Sequence, residues 1–144
     1  MRWLGIDYGD NRIGLAISDE LGSFAVPYRT LQHNPKTNDE IRQIVESERI
    51  TGILIGLPKN MDGTLGSSAA KSKAFGLQLQ AALLAIKIVF WDERLTTVEA
   101  QRVLHSTGKN TKQSKKVIDQ VAAQILLQNY LDALALQPRD GFNL

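Results

Sequence analysis

The sequence predicts an α/β fold: a five-stranded mixed sheet, made of a three-strand antiparallel meander plus parallel strands, with helices on both faces. Three observations lead there. The first 32 residues hold three strand-like runs separated only by short turns. From residue 37 the apolar spacing switches to the helical period and then alternates with short β-branched runs. Those later runs, "TGILIGLP" and "IKIVFWDE", are apolar at most positions, as in strands covered on both faces.

Taken in order, "MRWLGIDYG" and "RIGLAISD" flank Asp10-Asn11, a turn short enough to predict a hairpin. "FAVPYRTLQ" is the third strand, reached through Leu21-Gly22-Ser23, and Pro27 within it predicts an edge position, where a missing N–H breaks no ladder bond. In "TNDEIRQIVESERI", Ile41, Ile44 and Val45 fall at helical spacing, and Thr37 with Glu40 predicts a capping box. A buried parallel strand over 51–58 follows, ended by Pro58, and then an Ala- and Leu-rich helix over 67–84. "IKIVFWDE" is the fifth strand. Thr96 with Glu99 predicts a second capping box opening the helix "TTVEAQRVLHST". A long helix over 117–136 is terminated by Pro138. Residues 1–137 read as one domain and 138–144 as a short loose tail, with no internal repeat or linker.

Composition excludes several classes. The 144 residues suit one domain with a proper core, and 43% hydrophobic with 22% charged residues is ordinary for a folded chain. The absence of cysteine removes disulfides, thiolate zinc sites and cysteine nucleophiles. Two distant histidines, His33 and His105, make a histidine-rich metal site improbable. The chain enters its first strand without a signal-peptide pattern, and no apolar run approaches the ~20 residues that span a bilayer. A cytoplasmic protein without membrane partners is the expectation. Net charge is +2, but Lys109, Lys112, Lys115 and Lys116 crowd the segment 108–116 with no acid among them. Such a basic loop points to a polyanion, against the plain alternative of a solvated loop.

Acids mark one end of the expected sheet, the end where parallel sheets collect ligands. Asp7 closes the first strand, on the face that otherwise carries Gly5 and Gly9. A strand built only for packing would place Val or Ile there. Asp92 and Glu93 close the fifth strand. Asp119 is expected in the first turn of the last helix, with Ala122 and Ala123 on its face to allow close approach to the sheet. Three carboxylates brought together would repel one another without a cation, and hard divalent ions such as Mg²⁺ or Mn²⁺ take oxygen donors. Two ions ~3.5–4 Å apart suit an in-line phosphoryl displacement. Asp7 is then a metal ligand, with Gly5 and Gly9 leaving its face open to a bulky substrate. Each acid also has a plain structural reading: Asp7 as turn chemistry, Asp92 or Glu93 as a helix cap, Asp119 as a partner for a helix N-terminus. For Asp92 the capping role is the better one.

At these residues the sequence resembles the YqgF (RuvX) family of RNase H-like nucleases. The matching segments are "GIDYGDNRIGLAISD", "ILIGLPKNMDGT", "WDERLTTVEAQRVL" and "KKVIDQVAAQILLQNYL", in that order over most of the chain. The resemblance implies an RNase H-like fold and a metal-dependent endonuclease whose catalytic, metal-holding acids map onto Asp7, Glu93 and Asp119. It also implies a role in maturation of the 5′ end of pre-16S rRNA, in contact with nucleic acid and ribosomal particles, or in resolving branched DNA junctions.

Beside those acids, Arg94 is a candidate phosphate ligand through its planar fork, with a surface ion pair as the alternative. Lys59 and Asn60 lie in the loop after the fourth strand, Lys115 and Lys116 just before the Asp119 helix, and Arg12 just after the hairpin turn. All are nucleic-acid-binding candidates that would position a strand without reading its sequence. Trp3 and Trp91 read as core. The expected chemistry is hydrolysis by a metal-activated water, with no side-chain nucleophile. Rival readings are a phosphate-loop ATPase related to the sugar kinases, Hsp70 and actin, and a non-catalytic RNA-binding assembly factor.

Overall fold

The computed structural model describes residues 1–95 and 112–137, with the side chains of 112–116 outside that description. The expected helix opening at Thr96 and Glu99, His105, Lys109 and the tail 138–144 lie outside the described residues. Strands β1 (Trp3–Asp7), β2 (Arg12–Ser18) and β3 (Ala25–Gln32) form the meander. Helix α1 (Thr37–Ser47), β4 (Gly52–Leu57), α2 (Ser67–Ala82) and β5 (Lys87–Asp92) follow, then a 3₁₀ turn at Glu93–Leu95 and the long α3 (Lys112–Ala135). The sheet order is β3-β2-β1-β4-β5. β1 pairs antiparallel with β2 and parallel with β4, and β4 pairs parallel with β5.

Strand alternation sends two different sets of side chains to the two faces. Leu4, Ile6, Ile13, Leu15, Ile53 and Ile55 pack against Ile41, Ile44 and Val45 of α1 and Phe75 and Leu79 of α2. On the opposite face Trp3, Ala16 and Leu54 pack beneath Ala123, Leu126, Leu127 and Tyr130 of α3. β4 is buried along its whole length because both layers cover it. Trp3 belongs to this core, and Trp91 packs against it. Pro27 lies on the edge strand as expected, beside a register shift where Leu15 faces Arg29 and Ala16 faces Pro27.

Three expectations are corrected. Thr37 forms no capping box; its buried hydroxyl accepts from the Asn34 N–H and donates to the Gln32 carbonyl, tying the end of β3 to the start of α1. The last helix begins at Lys112, five residues earlier than its apolar pattern suggests, because the opening run KQSKK is polar and offers no apolar spacing to read. Asp119 therefore sits in the third turn, away from the helix end. Gly5 does not open its face to a substrate: a Cβ there would stand 2.9 Å from Leu127 Cβ and 3.1 Å from the Ala123 carbonyl, so the small residue admits α3. Gly9 likewise makes room for the hairpin turn, where a Cβ would collide with the Arg12 carbonyl.

Candidate active site

Asp7 ends β1 on the face covered by α3. Across the antiparallel register it is paired with Gly14, and the parallel register, with Ile6 beside Ile55, brings Gly56 to its other flank. Both glycines mark a close approach. A Cβ on Gly14 would collide with the backbone carbonyl of Asp119, so α3 lies directly on β2 at that point. A Cβ on Gly56 would stand 2.8 Å from Leu126 Cδ1 and 2.9 Å from Glu93 Oε2, so the Glu93 carboxylate lies over β4. Asp7 thus stands between two bare positions, one roofed by Asp119 and the other by Glu93.

The electrostatics follow from that packing. Burial pushes the Asp7 carboxyl up from 3.8 to about 7, and the charges of Glu93 and Asp119 push the same way. Burial also raises Glu93, with the charge of Asp92 adding to it. Asp119 has a partner: Arg12 Nε donates to its Oδ2 at 2.7 Å, joining β2 to α3. The candidate donor set is all oxygen and half-buried, and among the described residues Arg12 on Asp119 is its one bonded cation, which fits a hard divalent ion in kind. Among the described residues, no three acidic or histidine side chains are already closed around a common metal position.

The rim is more occupied than the sequence suggests. Asp92 caps the 3₁₀ turn by accepting from the Arg94 N–H at 2.9 Å. It also holds the Arg94 guanidinium at both Nε (3.0 Å) and Nη2 (2.6 Å). That hydrogen bonding holds Asp92 below the usual carboxylate range. Arg94 reaches the Met61 carbonyl as well, so the ion-pair alternative describes its resting state. Asn60 spends its groups on the loop, bonding Thr64 through backbone and side chain, and Asp62 binds Thr64 in turn. Lys59 shares that loop, near enough to Asp92 to help lower it. Lys71 of α2 reaches Asp10 at 3.3 Å. Lys115 and Lys116 fall in the opening turns of α3 rather than before it, and their side chains lie outside the described residues. Sequence reasoning missed Gly14 and Gly56 as parts of the site; the available signal was a glycine inside each of two otherwise apolar strands.

Comparison with known proteins agrees with this architecture. A family model described as "RuvX: Holliday junction resolvase" matches residues 1–133. A protein of Thermoanaerobacter pseudethanolicus is 46% identical over 136 residues, covering 92% of this chain and 97% of its own. One of Halalkalibacterium halodurans is 42% identical over 141 residues, covering 95% and 100%. Both are named "Putative pre-16S rRNA nuclease". Among solved structures, T. thermophilus RuvC in complex with a Holliday junction substrate matches at TM-score 0.57 and 14% identity, over 92% of this chain and 96% of that one. The fowlpox virus resolvase bound to junction DNA matches at 0.57 and 13%, over 95% and 100%. At such identities these two speak for the fold: the mixed sheet with helices on both faces is the RNase H-like arrangement.

Proposed function

The chain belongs to the RuvX family, and from that premise we propose that it is a metal-dependent endonuclease hydrolysing nucleic-acid phosphodiester bonds in 5′-end maturation of pre-16S rRNA. The observation that carries the reading is the grouping of Asp7, Glu93 and Asp119 around two glycines at the carboxyl end of the parallel strands. Grouped acids from distant segments serve no packing purpose, and the fold sustains a raised Asp7 carboxyl to keep them together.

In this reading Asp7, Glu93 and Asp119 hold Mg²⁺ or Mn²⁺, as two ions if the displacement is of the two-metal kind. Bound there, such ions lower the pKa of an attacking water and stabilise the departing 3′ oxygen. Asp7 binds them only after losing its proton, which its burial delays to neutral pH. The rim residues Arg94, Lys59, Asn60, Lys115, Lys116 and Arg12 position the nucleic-acid backbone through phosphate contacts. Arg94 meets a phosphate only by giving up part of its fork on Asp92. Residues 1–137 act as one nuclease domain. Among the described residues no helix is long and apolar enough to cross a membrane, which accords with a cytoplasmic enzyme working on ribosomal particles.

A second reading, cleavage of branched DNA, is favoured by the family description and by the junction-bound structural neighbours. It uses the same acids and differs only in substrate. Purified protein should be assayed with Mn²⁺ and with chelator on precursor 16S rRNA and on a four-way DNA junction. Metal-dependent trimming of the rRNA precursor alone is expected. Cleavage of the junction alone would transfer the assignment to DNA, and cleavage of neither would remove the nuclease.

A further inference from the structure

Among the described residues two arginines contact acids at this end of the sheet, and they do so differently. Arg94 grips Asp92 with two guanidinium nitrogens while its own N–H reaches the same carboxylate, a fork that closes on itself two residues apart. Arg12 touches Asp119 through Nε alone, on one carboxylate oxygen, across 107 residues of sequence. Among the described residues neither the second Asp119 oxygen nor the two terminal nitrogens of Arg12 has a further bond. The pair is open to solvent, with the Arg12 side chain 34% exposed and that of Asp119 20% exposed. Among the described residues no cationic side chain is bonded to Asp7 or Glu93, so their burial and the charge of neighbouring acids go uncompensated.

Resting on the nuclease reading, we infer that Arg12 is the exchangeable counter-ion of Asp119, holding that carboxylate until a divalent cation takes it. A single-pronged, partly exposed contact contributes little enough to be exchanged, whereas a bidentate fork resists exchange. A buried cluster of acids with one member pre-neutralised also repels itself less while empty, so the fold tolerates the site before it is loaded. The arrangement has a cost in affinity, because an incoming ion must displace a positive charge already in place.

The test is a titration of Mn²⁺ into the folded protein without substrate, followed by calorimetry. Arg12→Gln should bind Mn²⁺ about three- to tenfold more tightly than the parent, the range expected for losing a partly exposed charged hydrogen bond. In an Asp119→Ala background, which has no acceptor left for Arg12, the same change should move Mn²⁺ affinity by less than about twofold. Arg12→Lys, which keeps the charge and disturbs packing least, should stay within about twofold of the parent. A merely structural strut between β2 and α3 would lower thermal stability without coupling to Mn²⁺. Arg12→Gln binding Mn²⁺ no tighter than the parent, or tighter by the same factor in both backgrounds, overturns the counter-ion. Failure of the parent itself to bind Mn²⁺ overturns the nuclease reading beneath it.

Discussion

At the scale of single residues, Asp7 sets stability against the function proposed for it. Its carboxyl titrates near 7 in the fold and near the ordinary aspartate value when unfolded. The folded chain therefore holds more protons between those values, and this group's contribution is fully present below about pH 4 and lost as pH rises through 7. The difference corresponds to at most about 4 kcal/mol above neutrality. Asp7→Asn should accordingly be the more stable protein at pH 8 in chelator, with the gap closing towards pH 4, as read by urea unfolding at several pH values. A gap independent of pH would mean that Asp7 is not buried beside Glu93 and Asp119 as described. On the proposed reading, an acid stands at a packing position because the metal site needs its carboxylate there.

Among the elements, α3 does most to assemble the site, and it does so by lying flat on β2 and β1. Its underside carries Ala123 and Leu127 where β1 has Gly5, and its backbone at Asp119 rests on Gly14. Gly14→Ala would force the helix off the strand, and overpacking of that kind costs about 1–3 kcal/mol or more when the neighbour is backbone. Urea midpoints should fall accordingly, and Mn²⁺ affinity should fall with them as Asp119 moves; a variant as stable as the parent would show that the helix is not seated there. The same helix is tied to the edge strand by a row of glutamines four residues apart. Gln120 bonds Thr30, Gln124 the Ala25 carbonyl, and Gln128 both the Ala25 N–H and the Ser23 carbonyl. Gln128→Ala leaves the Ala25 N–H at the start of β3 and the Ser23 carbonyl before it without their partner and should cost about 1–2 kcal/mol by denaturant titration. No loss would indicate that water replaces the amide fully.

For the whole molecule, the layer plan was legible because the period of the apolar residues changes where the chain passes from meander to alternating units. Pro27 marked the edge, and Asp7 marked the candidate site as an acid where a strand needs none. Other features depend on contacts that spacing does not encode. Gly14 and Gly56 become neighbours of Asp7 only through strand register, and Arg12 meets Asp119 across 107 residues. The start of α3 was hidden because its opening residues are all polar and show no helical apolar spacing, and the open face assigned to Gly5 and Gly9 proved to be filled by backbone and helix. The acids act as one group or not at all, and cleavage kinetics distinguish the two. Single-turnover cleavage with Mn²⁺ should be measured for Asp7→Asn, Glu93→Gln and Asp119→Asn, singly and in pairs. Each single change should lose at least about a thousandfold, with the pairs losing little more, as residues acting as a unit do. Near-parental cleavage by any one variant, or losses that multiply in the pairs, would contradict a shared site.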